Sequence, residues 1–193
     1  MTICGLDECG RGALAGPLVA SGVIINIDTN ELVRQSPVPI RDSKKLSPLQ
    51  REKMSTFLTD QPLTYRIESI TVAEINDYGI GWANLQVFER LITELEADYY
   101  IVDGNLKFPS TIGRTVKSIV KADNSFIQVM LASVVAKTYR DSLMKKLHPE
   151  FPYYYWQTNV GYGTKKHLEA LRQYGPCLHH RLSFVRTALD HLS

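Results

Sequence analysis

Four acidic positions carry the first chemical hint in this chain of 193 residues: Asp7-Glu8, Asp103 and Asp123. Each ends or closely follows a short apolar segment that reads as a strand, over Thr2–Asp7, Tyr99–Asp103 and Thr115–Val120. Strand ends in α/β sheets are where functional sites gather. Carboxylates collected in one place repel, and their pKa values rise unless a cation intervenes. Hard oxygen ligands suit Mg²⁺ or Mn²⁺, and two such ions can clamp a phosphate for in-line attack by water. Taken singly, each acid is more simply a turn or cap carboxylate; only the set points to metal-assisted hydrolysis.

The remaining elements must bring those acids together. Leu18–Ile27 is a second apolar run rich in Val and Ile, and the glycines before it suit a hairpin turn. Ser47-Pro48-Leu49-Gln50 and Thr71-Val72-Ala73-Glu74 are capping boxes that predict helix starts. After the second, Trp82, Leu85, Phe88 or Glu89, Ile92 and Leu95 recur at helical spacing. Leu63–Ile70 alternates, with Tyr65 and Ile67 on one face and Arg66 and Glu68 on the other, as a half-buried strand does. Phe126–Ala136 is apolar nearly all round, the mark of a buried helix, and continues to about His148. Thr164 to Tyr174 reads as a helix capped by Thr164 and closed by Gly175. The order predicts an α/β fold with a mixed β-sheet flanked by helices. Residues 1–140 form its core, and a helical C-terminal part, residues 141–193, packs on that core as a single structural unit.

Composition narrows the partners. Residues 1–100 hold 9 Lys and Arg against 14 Asp and Glu, whereas residues 101–193 hold 13 against 6. A basic half suggests a polyanionic partner. No apolar run approaches the ~20 residues a membrane helix needs, so no membrane role is expected. The opening MTICGLDECGRG reaches acidic residues at once and does not read as a signal peptide. Cys4, Cys9 and Cys177 are odd in number and lack zinc-type spacing, which suits reduced thiols in a cytoplasmic protein.

Several stretches, in this order, resemble the ribonuclease HII family. They are ICGLDECGRGALAGP ending at Pro17, Asp42-Ser43-Lys44-Lys45-Leu46-Ser47, Val102-Asp103-Gly104-Asn105 and Lys121-Ala122-Asp123. Further on come Ala132-Ser133 with Ala136-Lys137 and Arg140-Asp141, then Gly161-Tyr162-Gly163-Thr164 with His167, then His180-Arg181 with Ser183-Phe184. The resemblance spans residues 3–184 and implies a ribonuclease H-like fold. It implies that Asp7, Glu8, Asp103 and Asp123 bind Mg²⁺ or Mn²⁺, two ions in the active complex. It further implies that Gly10-Arg11-Gly12 and Tyr162 recognise a ribonucleotide, with RNA–DNA hybrid and ribonucleotide-containing duplex DNA as substrates. Cys9 stands where a small Ala or Ser is usual in the family, and Ala122 where Gly is common.

The residues support that expectation on their own terms. Glycines let a backbone approach a sugar closely, and the 2′-OH separates RNA from DNA. Lys44 and Lys137 are the favoured phosphate contacts; Lys45, Arg140, Lys165, Lys166 and Arg181 are further candidates. Lys45, Lys145 and Lys146 read more simply as solvated charge. His167, His179 and His180 read as capping or packing histidines, and none is assigned as a general base. Tyr153-Tyr154-Tyr155-Trp156 could stack bases, but is expected to pack the helical tail on the sheet. No sliding-clamp peptide is evident after Phe184, and a monomer is expected. Another nuclease of the same fold, such as a resolvase core, would share the acids but not GRG together with GYGT. A non-catalytic hybrid-binding module would not need all four acids.

Overall fold

The computed structural model describes residues 1–109 and 113–190. Five strands form one sheet in the order β3-β2-β1-β4-β5: β1 (Ile3–Cys9), β2 (Leu18–Ile25), β3 (Leu63–Ile70), β4 (Tyr99–Asp103) and β5 (Val116–Ile119). β1 and β2 make the expected antiparallel hairpin, with Cys4 opposite Ile24 and Cys9 opposite Val19. β4 lies parallel to β1, and β5 parallel to β4. The sheet is mixed, as the sequence predicts.

Helices cover both faces. They are α1 (Thr29–Gln35), α2 (Pro48–Thr59), α3 (Val72–Glu94), α4 (Ile127–Leu147), α5 (Trp156–Asn159), α6 (Lys165–Tyr174) and α7 (Leu182–Asp190). Both capping boxes form in full, at Ser47 with Gln50 and at Thr71 with Glu74. Inside α3 the backbone breaks at Gly79, where φ is 83°. Beyond the break the stripe facing the sheet is Ala83, Val87, Phe88, Leu91, Ile92 and Leu95; Phe88, Ile92 and Leu95 stand as expected, while Trp82 and Leu85 are only half-buried. Burying a large apolar side chain contributes roughly 1.5–3 kcal/mol, so this stripe outweighs the ~1 kcal/mol a helix glycine costs.

The opposite face belongs to α4. Cys4 and Leu6 of β1 point to the α3 side, so Gly5 faces α4 by alternation. A Cβ on Gly5 would overlap the backbone of Gln128 and Val129, which fixes glycine at this crossing. Ser21 on β2 ties the same helix down by donating its hydroxyl to the Ala132 carbonyl at 2.8 Å. Met54 and Leu58 of α2 complete this layer against Leu131, Val134 and Val135.

α4 runs past residue 140, so the helical tail grows out of the helix that covers the sheet. The tyrosine run departs from expectation here. Tyr154 and Trp156 bury themselves against Leu14 and Ala15 of the β1–β2 loop, Met144 of α4, and Ala170, Leu171 and Val185. The tail therefore packs on the hairpin loop and the end of α4 rather than on the sheet; the sheet face is already filled by α4. Beyond Phe184 the chain continues in α7 to Asp190, and residues 191–193 lie outside the described residues.

Candidate active site

Parallel pairing aligns the acids. Leu6 pairs with Val102, so the residues one step on, Asp7 and Asp103, stand side by side at the ends of β1 and β4. Asp103 in turn pairs with Ile119 at the end of β5, four residues before Asp123. A left-handed residue, Lys121 with φ of 60°, turns the chain into the short 3₁₀ turn Ala122–Asn124 that carries Asp123. The Ala122 amide donates to Asp103 Oδ1 at 2.8 Å, locking that turn to β4. Asp7 Oδ1 accepts the Glu8 amide at 2.8 Å, and Asp123 Oδ1 accepts Asn124 Nδ2 at 3.0 Å.

Electrostatics unite the four. Burial, then Glu8 and Asp103, raise the Asp7 pKa well above the usual carboxylate range. Burial raises Glu8, with Asp103 adding to it and Arg11 opposing. Burial and then Asp103 and Asp42 raise Asp123. Asp103 is thus the shared neighbour of the other three. Lys44 stands among them. Burial pulls its ammonium down, but Asp7, Asp42, Asp123 and Asp103 outweigh that pull and raise its pKa. Among the described residues, no three His, Cys, Asp or Glu side chains already converge tightly enough to grip an ion. The donors are nonetheless all hard carboxylate oxygens, and their mutual repulsion is what a divalent cation relieves.

Sequence reasoning missed Asp42 as a separate contributor. It is buried and caps the turn Ser43–Lys45, accepting the Lys44 amide at 3.0 Å. Its local sequence, an Asp before Ser-Lys-Lys, carries the N-cap signal that could have found it. Ser133 of α4 accepts the Ser43 amide at 3.0 Å and so holds this turn over the acids.

Beside the acids lies a cleft of about 410 Å³ lined by Asp7, Glu8, Gly10, Arg11, Gly12, Lys44, Lys137 and Tyr162, among others. Asp103 and Asp123 do not line it; they couple to it through Asp7, Glu8 and Lys44. All three groups expected to recognise substrate meet here. Tyr162 is covered by two cations, with Lys137 Nζ 5.5 Å and the Arg140 guanidinium 5.3 Å from its ring centre. Burial and then the neighbouring Cys9 push the Tyr162 phenol up to about 12, so it stays a proton donor. The Cys9 thiol lies 4.0 Å from that hydroxyl. Lys137 also pairs with Asp141 at 2.7 Å.

A buried imidazole pair holds Tyr162 from behind. The Trp156 indole N–H can only donate, and it reaches His167 Nε2 at 3.3 Å. His167 therefore carries its hydrogen on Nδ1 and donates to the Tyr162 carbonyl at 2.9 Å. His180 Nε2–H donates to His167 Nε2 at 3.0 Å, and its Nδ1 accepts the Cys177 amide at 3.0 Å. Burial, then the facing His167, lower His180 to about 4, so the pair is neutral at pH 7. These histidines pack and position, as expected.

Two of the proposed phosphate contacts are corrected. Arg140 and Arg181 are fully buried. Arg140 donates to the carbonyls of Pro17, Val160 and Ala15 at 3.0, 2.9 and 2.8 Å. Arg181 donates to those of Gly10, Arg11 and Gly16. Burial and then Arg140 lower Arg181 to about 9, so it remains cationic at neutral pH. Both guanidiniums are thus enclosed and turned toward main-chain carbonyls, so neither stands where a phosphate could reach it.

The sheet order, the helices on both faces and the acids at the parallel strand ends define an α/β protein of the ribonuclease H-like class. The solved structure of ribonuclease H2 from Pyrococcus horikoshii OT3 superposes with a TM-score of 0.78, is 27% identical and covers 99% of this chain and 98% of that one. Bst-RNase HIII in complex with Mn²⁺ shares the fold at a TM-score of 0.71 and 17% identity, over 99% of this chain and 70% of that one. The family model described as ribonuclease HII matches residues 4–187. A ribonuclease HII of Clostridium beijerinckii is 41% identical over 189 residues, 97% of this chain and 68% of that protein. The chain belongs to the ribonuclease HII family, endoribonucleases that cleave RNA–DNA hybrids.

Proposed function

We propose that this enzyme cuts the RNA strand of hybrids and also nicks duplex DNA on the 5′ side of a single embedded ribonucleotide, leaving 3′-OH and 5′-phosphate ends. The observation that carries this reading is the shared cleft, in which Asp7 and Glu8 open onto the same space as Gly10-Arg11-Gly12 and Tyr162. Asp7, Glu8, Asp103 and Asp123 would hold the divalent ions; a relative of the same fold is known in complex with Mn²⁺. Bound there, two such ions supply Lewis-acid activation of water and neutralise charge at the phosphate. The chain does the rest. Arg11 and the loop amides hold the 2′-OH and the adjacent phosphate, Tyr162 covers the sugar, and Lys44 and Lys137 anchor flanking phosphates. Gly12 has nothing within 4 Å of where a Cβ would stand, so the backbone there is open to close approach from outside.

The test is a gel comparison of two duplexes, one with a single ribonucleotide and one with a long hybrid tract, in Mg²⁺ and in chelator. Wild type should nick the first on the 5′ side only when metal is present. Each buried group left unpaired costs roughly 1–3 kcal/mol, so Tyr162→Ala should slow the single-ribonucleotide reaction about 5–150-fold more than the hybrid reaction. A wild type that ignores the single ribonucleotide, or cuts on its 3′ side, overturns the reading.

Phosphate anchoring has its own signature. Each contact releases counterions, so log affinity should fall steeply with log salt. Lys44→Ala or Lys137→Ala should flatten that slope by about one unit each. An unchanged slope, measured by binding titrations between 50 and 200 mM salt, reclassifies the lysine as surface charge.

A further inference from the structure

The buried guanidinium of Arg181 sits 171 positions along the chain from Gly10 and has no carboxylate partner among the described residues. Burying a charge so completely is costly, and the acceptors it finds are all carbonyls of one short loop. Nη1 reaches Gly10 O at 2.7 Å and Arg11 O at 3.0 Å; Nε and Nη2 reach Gly16 O at 3.0 and 2.8 Å. The Arg181 amide adds a bond to Leu14 O at 2.8 Å.

A trans peptide points its C=O and N–H in opposite directions. Drawing the carbonyls of Gly10 and Arg11 inward therefore turns the amides of Arg11 and Gly12 outward. Both residues are exposed, both line the cleft, and neither amide meets an acceptor among the described residues. With the carbonyls rotated the other way, the loop would present oxygen lone pairs to a phosphate and repel it. The orientation of two peptides thus decides whether this loop attracts or rejects a polyanion; Arg181 bonds both carbonyls, and the Ala13 amide adds a longer bond of 3.2 Å to Gly10 O alone.

We propose that Arg181 is a positioning residue for ribonucleotide recognition: by pinning the carbonyls of Gly10 and Arg11 it presets two outward amide donors that discriminate ribose from deoxyribose. This rests on the proposed ribose-reading role of the cleft. A deoxyribose leaves such a donor unpaired, which is how a hydrogen-bonding site rejects an analogue lacking one hydroxyl. Lysine at 181 would keep the charge but lose the rigid planar fork whose three nitrogens reach these carbonyls.

The experiment is equilibrium binding by fluorescence anisotropy in chelator, where no cutting occurs, with two probes: a DNA duplex carrying one ribonucleotide and the same duplex all-DNA. Wild type should prefer the ribonucleotide probe by about tenfold, the worth of one or two well-made bonds. Arg181→Lys should bring that ratio near one while affinity for the all-DNA probe changes less than about twofold. A retained ratio in Arg181→Lys overturns the proposal alone, as does an equal loss on both probes, which marks a merely structural role. A wild-type ratio of one overturns the ribose-reading of the cleft and this proposal with it. If Arg181→Lys fails to fold, hydrogen exchange on wild type decides. The Arg11 and Gly12 amides should exchange freely in the free protein and be protected by the ribonucleotide duplex only; equal protection by both duplexes, or slow exchange in the free protein, overturns it.

Discussion

Asp103→Asn and Asp123→Asn should each lower turnover at saturating Mg²⁺ by on the order of 10³-fold, while the proteins melt no lower than wild type. On the proposed metal-binding role, each change would remove a hard ligand of an ion that would supply several kcal/mol of charge stabilisation, at 1.36 kcal/mol per tenfold. The stability half is sharper. Asp103 raises the pKa values of Asp7, Glu8 and Asp123, so its charge works against the fold in the absence of metal. Neutralising it relieves repulsion, and Asp103→Asn should match or exceed the wild-type melting temperature in chelator. Activity bought at the expense of stability is expected of such a cluster. Steady-state cleavage of a hybrid and a thermal melt in chelator check both halves. A near-normal rate in either variant removes that residue from the metal set; a lower melting temperature for Asp103→Asn contradicts the repulsion.

The largest effect on stability should come from Gly5→Ala. The new methyl would overlap main-chain atoms of Gln128 and Val129, which cannot swing aside as a side-chain tip can. Overpacking costs 1–3 kcal/mol, and a clash of backbone with backbone belongs at the top, about 3 kcal/mol. For a domain near 200 residues that is a fall in melting temperature of roughly 6–12 °C. Gly12→Ala is the control. Its Cβ would stand in open space, so the melt should move by less than about 0.5 kcal/mol equivalent. Equal melting of the two variants would falsify the close approach of α4 to β1.

The two capping boxes were legible because their partners stand three residues apart, at Ser47 with Gln50 and at Thr71 with Glu74. The acids were legible because each closes a short apolar run. What the sequence could not yield are contacts whose partners lie far along the chain. Arg140 reads as a helix-surface cation, and only the carbonyls of Ala15, Pro17 and Val160, 20 to 125 positions away, show otherwise. Arg181 looks the same for the same reason. The tail's destination was misjudged because Tyr154 and Trp156 announce burial without naming the surface that buries them. Parallel pairing of β1 with β4 brings Asp7 beside Asp103 across 96 positions, and alternation within either strand says nothing of its neighbour.

The link from Arg181 back to Gly10 and Arg11 also sets a timetable. A ribosome adding 5–20 residues per second needs on the order of 10 s or more to travel from the loop to its clamp. Throughout that interval Asp7 and Glu8 have been made, yet the carbonyls beside them have only the local Ala13 amide, on Gly10 O, to hold them. A contact of such long range forms late in folding, since its loop-closure entropy must be met first. On the proposed reading of the loop, the acids of β1 are therefore made well before the residue that presets the amides beside them.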